Sequence, residues 1–429
     1  MNGFLRGSLL AVLLVIALAF AGCSGGGGGG SSNPPDASAP TVVVQPLPLP
    51  GPYAVACSNV AQDFSRVAAG EDVTSYWEGY NGTARYVTDL LADPDNTLIA
   101  TVTAPQDSNL YGDFAGQKIA FVVLTCYPTT ADNSRLDYTL PTGKVVPHMQ
   151  TGSDPPLFAD ASVRYPVLVF SHGYMGSPIS SDYISALSVL ASYGYIIIAP
   201  FHGDLRFSDL QIDNLGDVIN VASHLENFTA LQALRPLSIS AALTLVLEHP
   251  QWQGHIDTTQ IGGFGASMGG ETMMLLAGAG LTTSYFDKEV SWKQVTHDTR
   301  IKAAVGYVPY FGYSQYGQSI MPAFGYDQHG LDGISLPFLG ISGTADTTAP
   351  ISETEIGMSR LTGTRELVAL SGVEHGFDVA STNDIFTWTF MFLDAEVRGN
   401  TATKKQLSTM GSVAGGGDDS VVIYYNGSP

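Results

Sequence analysis

The sequence predicts an α/β fold: a mostly parallel, doubly wound sheet with helices on both faces. Between residues 118 and 397, short apolar runs alternate with longer segments of helical character. Strands that are apolar throughout are typical of parallel sheets covered on both faces. One of these runs leads into a serine flanked by glycines, G-A-S-M-G at 265–269, and a helix-forming segment follows. The combination is a strand, a sharp turn and a helix.

The predicted elements follow one another in a regular order. Strands are expected at 118–127, 167–170, 195–200, 261–266, 301–308, 338–342 and 366–370. Helices are expected at 182–193, 217–234, 238–248, 272–279, 351–361 and 383–397. Gly194 is a natural stop for the first helix, and Pro236 is expected to separate the second from the third.

Composition and charge limit the possible partners. The chain has 429 residues, of which 45% are hydrophobic, and a formal net charge of −21. At about 100–200 residues per domain, that length allows two or three average domains, or one large α/β domain with extensions. An acidic surface repels phosphate backbones, so nucleic acid is not expected as a partner. No metal-ligand spacing or dinucleotide-binding fingerprint stands out, so no metal or cofactor is expected.

Residues 1–22 are predicted to be a lipoprotein-type signal peptide. Arg6 supplies the basic region, an apolar run follows, and Ala21-Gly22 precedes Cys23. This junction resembles the bacterial lipoprotein signal, which implies lipidation of Cys23. Ser24 resembles the pattern for sorting to the outer membrane. The expected location is the bacterial cell envelope through a lipid anchor, or the outside of the cell. The alternative is an ordinary signal peptide with a cysteine there by chance.

The remaining chain divides by composition. Residues 23–52, rich in glycine, serine and proline, are predicted to be a linker. Residues 53–117 are expected to form an N-terminal extension or cap packed on the main domain, which spans 118–399. Residues 400–429 are a C-terminal tail with a possible edge strand at 421–425.

Two cysteines follow Cys23 in the sequence. In an oxidising compartment Cys57 and Cys126 could form one disulfide. Two buried free thiols are an equally open alternative, because spacing along the chain does not show proximity.

Ser267 is the candidate nucleophile. Its turn is so tight that side chains at the flanking positions would collide with the strand and the helix, and Gly265 and Gly269 carry none. A second match to the pattern, at residues 22–26, lies in the targeting region without a strand or a helix. Ser267 is therefore selected, because its match lies between a predicted strand and a predicted helix.

A serine hydroxyl needs a base to take its proton. Three histidines follow Ser267 in the sequence. His375 comes directly after the last predicted strand, where a loop can carry it over the serine. His297 lies in a charged segment before a strand, and His329 lies in a glycine-rich loop. His375 is therefore the predicted base.

The base needs an acid to orient it. Asp346 comes just past the strand at 338–342, and parallel sheets bind ligands at the carboxyl ends of their strands. Asp327 and Asp332 precede that strand, at the wrong end. Glu374 is too close to His375 in sequence. Asp346 is therefore the predicted acid.

A developing oxyanion needs two preorganised donors. The backbone N–H of Met268, directly after the nucleophile, is the first. The second is expected in the motif S-H-G-Y at 171–174, after an earlier strand, and the N–H of Tyr174 is selected. His172 in this motif is expected to be a packed, hydrogen-bonded histidine rather than a proton-transfer group.

Four motifs appear in order at predicted strand ends: S-H-G-Y at 171–174, G-A-S-M-G-G at 265–270, G-T-A-D at 343–346 and E-H-G-F at 374–377. Together they resemble the α/β-hydrolase superfamily, over residues 118–397. The likeness is greatest to the dienelactone-hydrolase, platelet-activating-factor acetylhydrolase and bacterial cutinase or polyester hydrolase group. This resemblance implies the α/β-hydrolase fold and a serine esterase.

The resemblance also suggests substrate-binding residues. In polyester hydrolases the residue after the H-G pair provides an aromatic wall, which corresponds to Tyr174, and His172 is placed at the same site. The family motif A-A-x-x-x-P-W resembles residues 303–310, with one residue more before the proline and Tyr310 in place of tryptophan. Aromatic residues at 307–316 either line an acyl site or are interior packing, and both interpretations stay open. Segments 201–238 and 281–300 look like insertions, and a serine elbow argues against a true dienelactone hydrolase.

The leading hypothesis is a serine carboxylester hydrolase that forms an acyl-enzyme at Ser267 and acts on apolar or aromatic esters, including polyesters. The alternatives are a peptidase or amidase on the same fold and a non-catalytic, lipid-anchored binding protein. The expected partners are an ester substrate and, through the lipid anchor, a membrane. The protein is expected to be monomeric.

Overall fold

A ten-stranded mixed sheet organises the protein. The computed structural model describes residues 41–62, 90–151, 154–180, 182–207, 225–283, 292–314 and 323–425. The predicted signal peptide and Cys23 therefore lie outside the described residues.

Sixteen strands and seven α-helices occur in the described residues. The strands are β1 (Val42–Val44), β2 (Ala54–Cys57), β3 (Ile99–Thr103), β4 (Lys118–Thr129), β5 (Tyr138–Thr139), β6 (Val145–Val146), β7 (Tyr165–Ser171), β8 (Ile196–Pro200), β9 (Ile256–Ala266), β10 (Gly280–Thr282), β11 (Trp292–Gln294), β12 (Ala304–Tyr307), β13 (Phe338–Gly343), β14 (Arg365–Leu370), β15 (Met410–Val413) and β16 (Asp419–Tyr425). The helices are α1 (Ser108–Tyr111), α2 (Tyr183–Ser192), α3 (Leu225–Glu248), α4 (Met268–Leu276), α5 (Ile351–Arg360), α6 (Thr382–Glu396) and α7 (Thr401–Leu407).

The centre of the sheet is parallel and its edges are antiparallel. The strand order is β16-β14-β13-β12-β9-β7-β8-β4-β2, and β3 pairs with β4 off this path. Neighbours from β14 to β8 are parallel. The pairs β14–β16, β4–β8, β2–β4 and β3–β4 are antiparallel. The prediction of a mostly parallel sheet therefore describes the centre, and the whole sheet is mixed.

Strand β7 shows why the centre is parallel. All its residues are buried, as is typical of a strand covered on both faces. Leu168 and Phe170 join the apolar cluster that contains α2 and α6. Val167 and Val169 point the other way, into the cluster that contains α3, α4 and α5. Helices therefore cover both faces, as the sequence predicts.

Helix α3 differs from the prediction of two helices separated by Pro236. Over its described length it is one continuous helix with Pro236 inside it. Residues 217–224 of the first predicted helix lie outside the described residues. Tertiary packing overrides the proline here, because residues on both sides of it, such as Leu234 and Ile239, are buried. By length and composition the stretch Phe228–Glu248 could span a membrane, but 67% of its apolar window is buried within the domain.

The predicted linker and N-terminal extension both contribute to the fold. Strand β1 lies inside the predicted linker 23–52 and pairs in parallel with β15. Strands β2 and β3 lie inside the predicted extension 53–117 and extend the central sheet through β4. The twelve-residue length of β4 allows it to pair with three strands.

A disulfide and an edge strand add to this sheet. Cys57 and Cys126 face each other across β2 and β4, and the structure joins them in a disulfide. The possible edge strand at 421–425 is confirmed, with the longer bounds of β16, which pairs with β14. Within the predicted insertion 281–300, β11 pairs with β10.

Candidate active site

Ser267 lies at a sharp turn between β9 and α4. Its backbone has φ 53° and ψ −120°, which is unusual for a residue with a side chain. A Cβ atom on Gly265 would lie 2.1 Å from the carbonyl oxygen of Gly269, and one on Gly269 would lie 2.0 Å from that of Ser171. Both contacts are with backbone, so the turn closes only because these two positions are glycine.

The side chains of Ser267, His375 and Asp346 form one hydrogen-bonded row. His375 Nε2 lies 2.9 Å from Ser267 Oγ, and His375 Nδ1 lies 2.8 Å from Asp346 Oδ2. Because an ionised carboxylate only accepts, Nδ1 carries the proton and Nε2 is the acceptor for the serine hydroxyl. The structure thus brings together the three residues that the sequence selects. His329, by contrast, is paired with Asp332 at 2.7 Å.

Burial separates the two ends of this row. The side chain of Asp346 is fully buried, whereas that of His375 is 26% exposed. Asp346 Oδ1 also accepts hydrogen bonds from the N–H groups of Thr348 and Ala349, each at 2.8 Å. The carboxylate is fixed by backbone donors, and the imidazole remains within reach of solvent.

Four strand ends assemble the site. Ser267 directly follows β9, Asp346 follows β13, and His375 follows β14. The loop at 171–176 follows β7. All four strands are parallel, so their carboxyl ends lie at one edge of the sheet, where open α/β sheets bind ligands.

The loop at 171–176 runs beside Ser267. A Cβ atom on Gly173 would lie 3.4 Å from Ser267 Cβ and 2.7 Å from the hydroxyl oxygen of Tyr183. The N–H of Gly173 donates to this hydroxyl at 3.0 Å, so it is already engaged. Tyr174 comes next in the loop, and Met268 is the first residue of α4. Both predicted donors therefore belong to segments that adjoin Ser267.

His172 is sealed inside the protein and does not line a substrate surface. It is fully buried. Its Nδ1–H donates to the carbonyl oxygen of Gly173 at 2.8 Å, and its Nε2 accepts from the backbone N–H of His202 at 3.3 Å. Burial, followed by the positive charge of Arg235, lowers the pKa of His172 to about 3. The prediction of His172 as a substrate-binding residue is therefore wrong, and its packed, hydrogen-bonded interpretation agrees with the structure.

The aromatic residues predicted near the site differ in how far they are buried. Tyr174 is half-buried, and its ring meets that of Phe228 edge-on at 5.7 Å. The N–H of Tyr310 donates to the carbonyl oxygen of Ser267 at 2.9 Å, but Tyr310 is 6% exposed. Tyr307 and Phe311 are buried, which favours interior packing for them. Residue 316 lies outside the described residues.

Apart from His172, which it expects to be packed and hydrogen-bonded, sequence reasoning missed a group of polar residues behind the loop at 171–176. They are all buried: Ser171, His172, His202, Asp204, Gln232, Arg235, Ser238 and Glu271. We call this group the buried polar cluster. One signal for it was present, since Arg235 is the only charged residue between positions 228 and 247. An isolated charge in an apolar helix has to find a buried partner.

Two residues of this cluster form a buried ion pair. Arg235 donates to both carboxylate oxygens of Asp204, at 3.0 and 2.5 Å. Their side chains are 1% and 0% exposed. Within the part of the chain that the structure describes, no group of three or more histidine, cysteine, aspartate or glutamate side chains is arranged to hold a metal ion.

Comparison with known proteins points to one class. Residues 156–277 match the family model described as chlorophyllase, a family of α/β-hydrolase-type serine esterases. The matched segment includes the loop at 171–176 and Ser267 and ends before Asp346 and His375. The chain is thus similar to serine ester hydrolases in general, and the match distinguishes no subgroup among them. No curated protein matches the chain.

Proposed function

We propose that this protein is a serine carboxylester hydrolase with Ser267 as nucleophile, His375 as base and Asp346 as orienting acid. The hydrogen-bonded row from Asp346 through His375 to Ser267 carries this proposal. The match of residues 156–277 to a family of serine esterases supports it.

In the first half of the reaction, Ser267 Oγ attacks the carbonyl carbon of the ester while His375 Nε2 takes its proton. The carbonyl oxygen becomes an oxyanion, which accepts hydrogen bonds from the N–H groups of Met268 and Tyr174. The intermediate collapses as His375 passes the proton to the leaving alkoxide. The products of this half are an alcohol and an acyl group bound to Ser267.

In the second half, water replaces the alcohol. His375 removes a proton from the water as the water oxygen attacks the acyl carbon. The proton then passes from His375 to Ser267 Oγ as the carboxylic acid leaves. Asp346 stays ionised throughout. Its negative charge holds the Nδ1–H tautomer of His375 and stabilises the imidazolium formed in each half. The two backbone donors on Asp346 keep its carboxylate in place.

The substrates we propose are apolar or aromatic esters, including polyesters. Tyr174 belongs to the loop at 171–176, which runs beside Ser267 at Gly173, and its half-buried ring offers an apolar surface for such groups. Lipidation of Cys23 would hold the enzyme in the cell envelope, where a polymer that cannot be imported is accessible. The name of the matched family adds chlorophyll to the esters that deserve a test.

The test is hydrolysis of p-nitrophenyl esters from acetate to palmitate, and of chlorophyll, by the full chain. Ser267→Ala is the inactive variant. Ser359→Ala is the matched control, because this serine is exposed and, within the described residues, its hydroxyl bonds a carbonyl of its own helix alone. Activity present in the control and absent from Ser267→Ala supports the proposal. A fall with acyl length then indicates small esters or polyesters, and a rise indicates lipid-like esters. A folded protein that hydrolyses none of these esters would overturn it and favour a peptidase, an amidase or a binding protein.

A further inference from the structure

Two carbonyl groups of the loop at 171–176 point into the buried polar cluster. Arg235 Nη1 donates to the carbonyl oxygen of His172 at 2.7 Å, and Arg235 Nη2 donates to that of Gly173 at 2.9 Å. The Nδ1–H of His172 donates to the same Gly173 oxygen at 2.8 Å. This carbonyl is therefore held by two side chains at once.

Arg235 is itself held in place by Asp204. The two side chains meet through two hydrogen bonds, which fix the plane of the guanidinium. Asp204 Oδ2 also accepts from the N–H of Met175 at 2.8 Å. Met175 has a φ of 57°, an uncommon backbone conformation that persists only where the surroundings enforce it. Asp204 and Arg235 thus fasten the loop on both sides of Tyr174.

The geometry of the peptide bond passes this restraint to Tyr174. The carbonyl of Gly173 and the N–H of Tyr174 belong to one planar trans peptide, so they point in opposite directions. Arg235 and His172 hold the carbonyl toward the cluster. The N–H of Tyr174 must therefore point away from it. Gly173 adjoins Ser267, so this N–H belongs to the peptide beside the nucleophile.

We propose that Arg235 is a positioning residue that sets the plane of the Gly173–Tyr174 peptide and so aims the N–H of Tyr174 at the oxyanion. Asp204 and His172 assist it. The inference rests on the proposed esterase function and adds to it the group that preorganises one oxyanion donor. A buried ion pair is costly to desolvate and is weak evidence for a role in stability. The direct bonds of Arg235 to this loop give the pair a function in the site.

The first test is Arg235→Lys in the full chain. The ammonium keeps the charge but lacks the planar fork, so it cannot serve both carbonyls and Asp204 together. We expect kcat to fall about 10- to 100-fold, since loss of a whole oxyanion donor costs about 10²–10³. KM should change less than about twofold. The inhibition constant of an alkyl boronic acid, whose tetrahedral adduct occupies the oxyanion position, should rise with the loss in kcat.

The matched control is Arg300→Lys. Arg300 also makes a two-bonded pair with an aspartate, Asp298, and donates to the carbonyl of Ser240 on α3. Since these partners lie outside the loop at 171–176, this variant should keep wild-type kcat and boronate inhibition. An equal loss in both arginine variants, or an unchanged kcat in Arg235→Lys, would overturn the inference.

A second pair of variants covers the case in which Arg235→Lys does not fold. His172→Asn places an amide N–H near the position of Nδ1, whereas His172→Gln places its amide near the position of Nε2. We expect His172→Asn to keep the higher kcat and the tighter boronate binding. Equal losses, or the reverse order, would contradict the inference. If the wild-type chain hydrolyses no ester, the proposed function fails first, so the two failures are distinguishable.

Discussion

Two rows of side chains in this protein contain the same Ser–His contact. In one row, Ser267 Oγ lies 2.9 Å from His375 Nε2, and Asp346 follows on Nδ1. In the other, Ser171 Oγ lies 2.9 Å from His202 Nε2, and the hydroxyl of Ser238 follows on Nδ1 at 3.0 Å. The side chain of His375 is 26% exposed, whereas His202 is buried.

The difference shows that a Ser–His hydrogen bond alone does not define a nucleophile. Burial, and then the charges of Arg235 and His172, lower the pKa of His202 well below 6.5. Its Nδ1–H donates a hydrogen bond to Ser238 Oγ, which in turn donates to the carbonyl of Arg235, so among the described residues no carboxylate bonds Nδ1. If His202 acted as the base for Ser171, no carboxylate would stabilise the imidazolium that forms. Substrate would also not reach Ser171, which is buried. The orienting carboxylate and access distinguish the candidate site from the buried row.

The largest expected contrast comes from removing each serine hydroxyl. Ser267→Ala should lower kcat about 10⁴- to 10⁶-fold, because the covalent step is lost. Ser171→Ala removes only a partner of His202 and should lower kcat at most about tenfold. Ester hydrolysis and thermal unfolding of both variants give the comparison. Similar losses of activity in two folded variants would mean that the rows are not functionally distinct.

The third member of each row gives the next contrast. Asp346→Asn keeps an acceptor for the N–H groups of Thr348 and Ala349 but turns an amide N–H toward His375, which enforces the wrong tautomer. We expect kcat to fall about 10⁴-fold with KM little changed. Ser238→Ala leaves the Nδ1–H of His202 without its acceptor, which should cost about 1–3 kcal/mol of stability.

Steady-state kinetics and urea unfolding of these two variants separate the effects. Asp346→Asn should unfold close to wild type, and Ser238→Ala should keep most of its activity. If Ser238→Ala loses as much kcat as Asp346→Asn while remaining folded, the proposed functional difference between the two rows is contradicted.

Acid stability should report the two buried histidines, His172 and His202, independently of catalysis. The lowered pKa values of His172 and His202 keep both rings neutral in the folded protein, whereas each binds a proton below about 6.5 when unfolded. Their contribution to stability is therefore full above about pH 6.5 and is lost as the pH falls, for His172 toward pH 3. Each proton contributes a slope of about 1.4 kcal/mol per pH unit.

His202→Asn tests this slope. It retains an amide near Nδ1 and removes one titrating ring, so its stability should fall less steeply than that of wild type between pH 6 and 4. Urea unfolding at several pH values measures the difference. Identical slopes would show that His202 takes up its proton in the folded protein, and the row would then not be sealed.

The two rows also differ in how far the sequence could predict them. Ser267, Asp346 and His375 each follow a strand whose apolar run is visible locally, and sheet topology then places their strand ends together. The buried row has no such marker. His202 and Ser238 are separated by 36 positions and meet only because α3 packs behind the loop at 171–176.

Packing between distant parts of the chain also explains where the observed fold differs from the predicted one. The central parallel strands are continuous apolar runs, so their pattern is sufficient to predict them. The five residues of β3 form a strand by pairing with β4, and the three residues of β1 depend on β15, a partner distant in sequence. Pro236 marks a helix end in isolation, but burial along α3 keeps the helix continuous. Local patterns predict the centre of this protein, and long-range packing decides its edges and its buried polar cluster.

The smallest expected effect concerns Glu271, which lies in the buried polar cluster and accepts from Gln232 Nε2 at 2.7 Å. Burial raises its pKa from 4.5 to about 8, so the folded protein keeps it protonated at neutral pH. Because the folded pKa lies above the unfolded one, its contribution to stability is full below about pH 4.5 and is lost as the pH rises through 8. Glu271→Gln is neutral at every pH and removes this loss. Relative to wild type, the variant should gain thermal stability at pH 9 compared with pH 5, while its kcat at pH 7 stays within about twofold. An equal difference in melting temperature at both pH values would show that Glu271 is ionised in the folded protein, and the cluster would then carry a second negative charge beside Asp204.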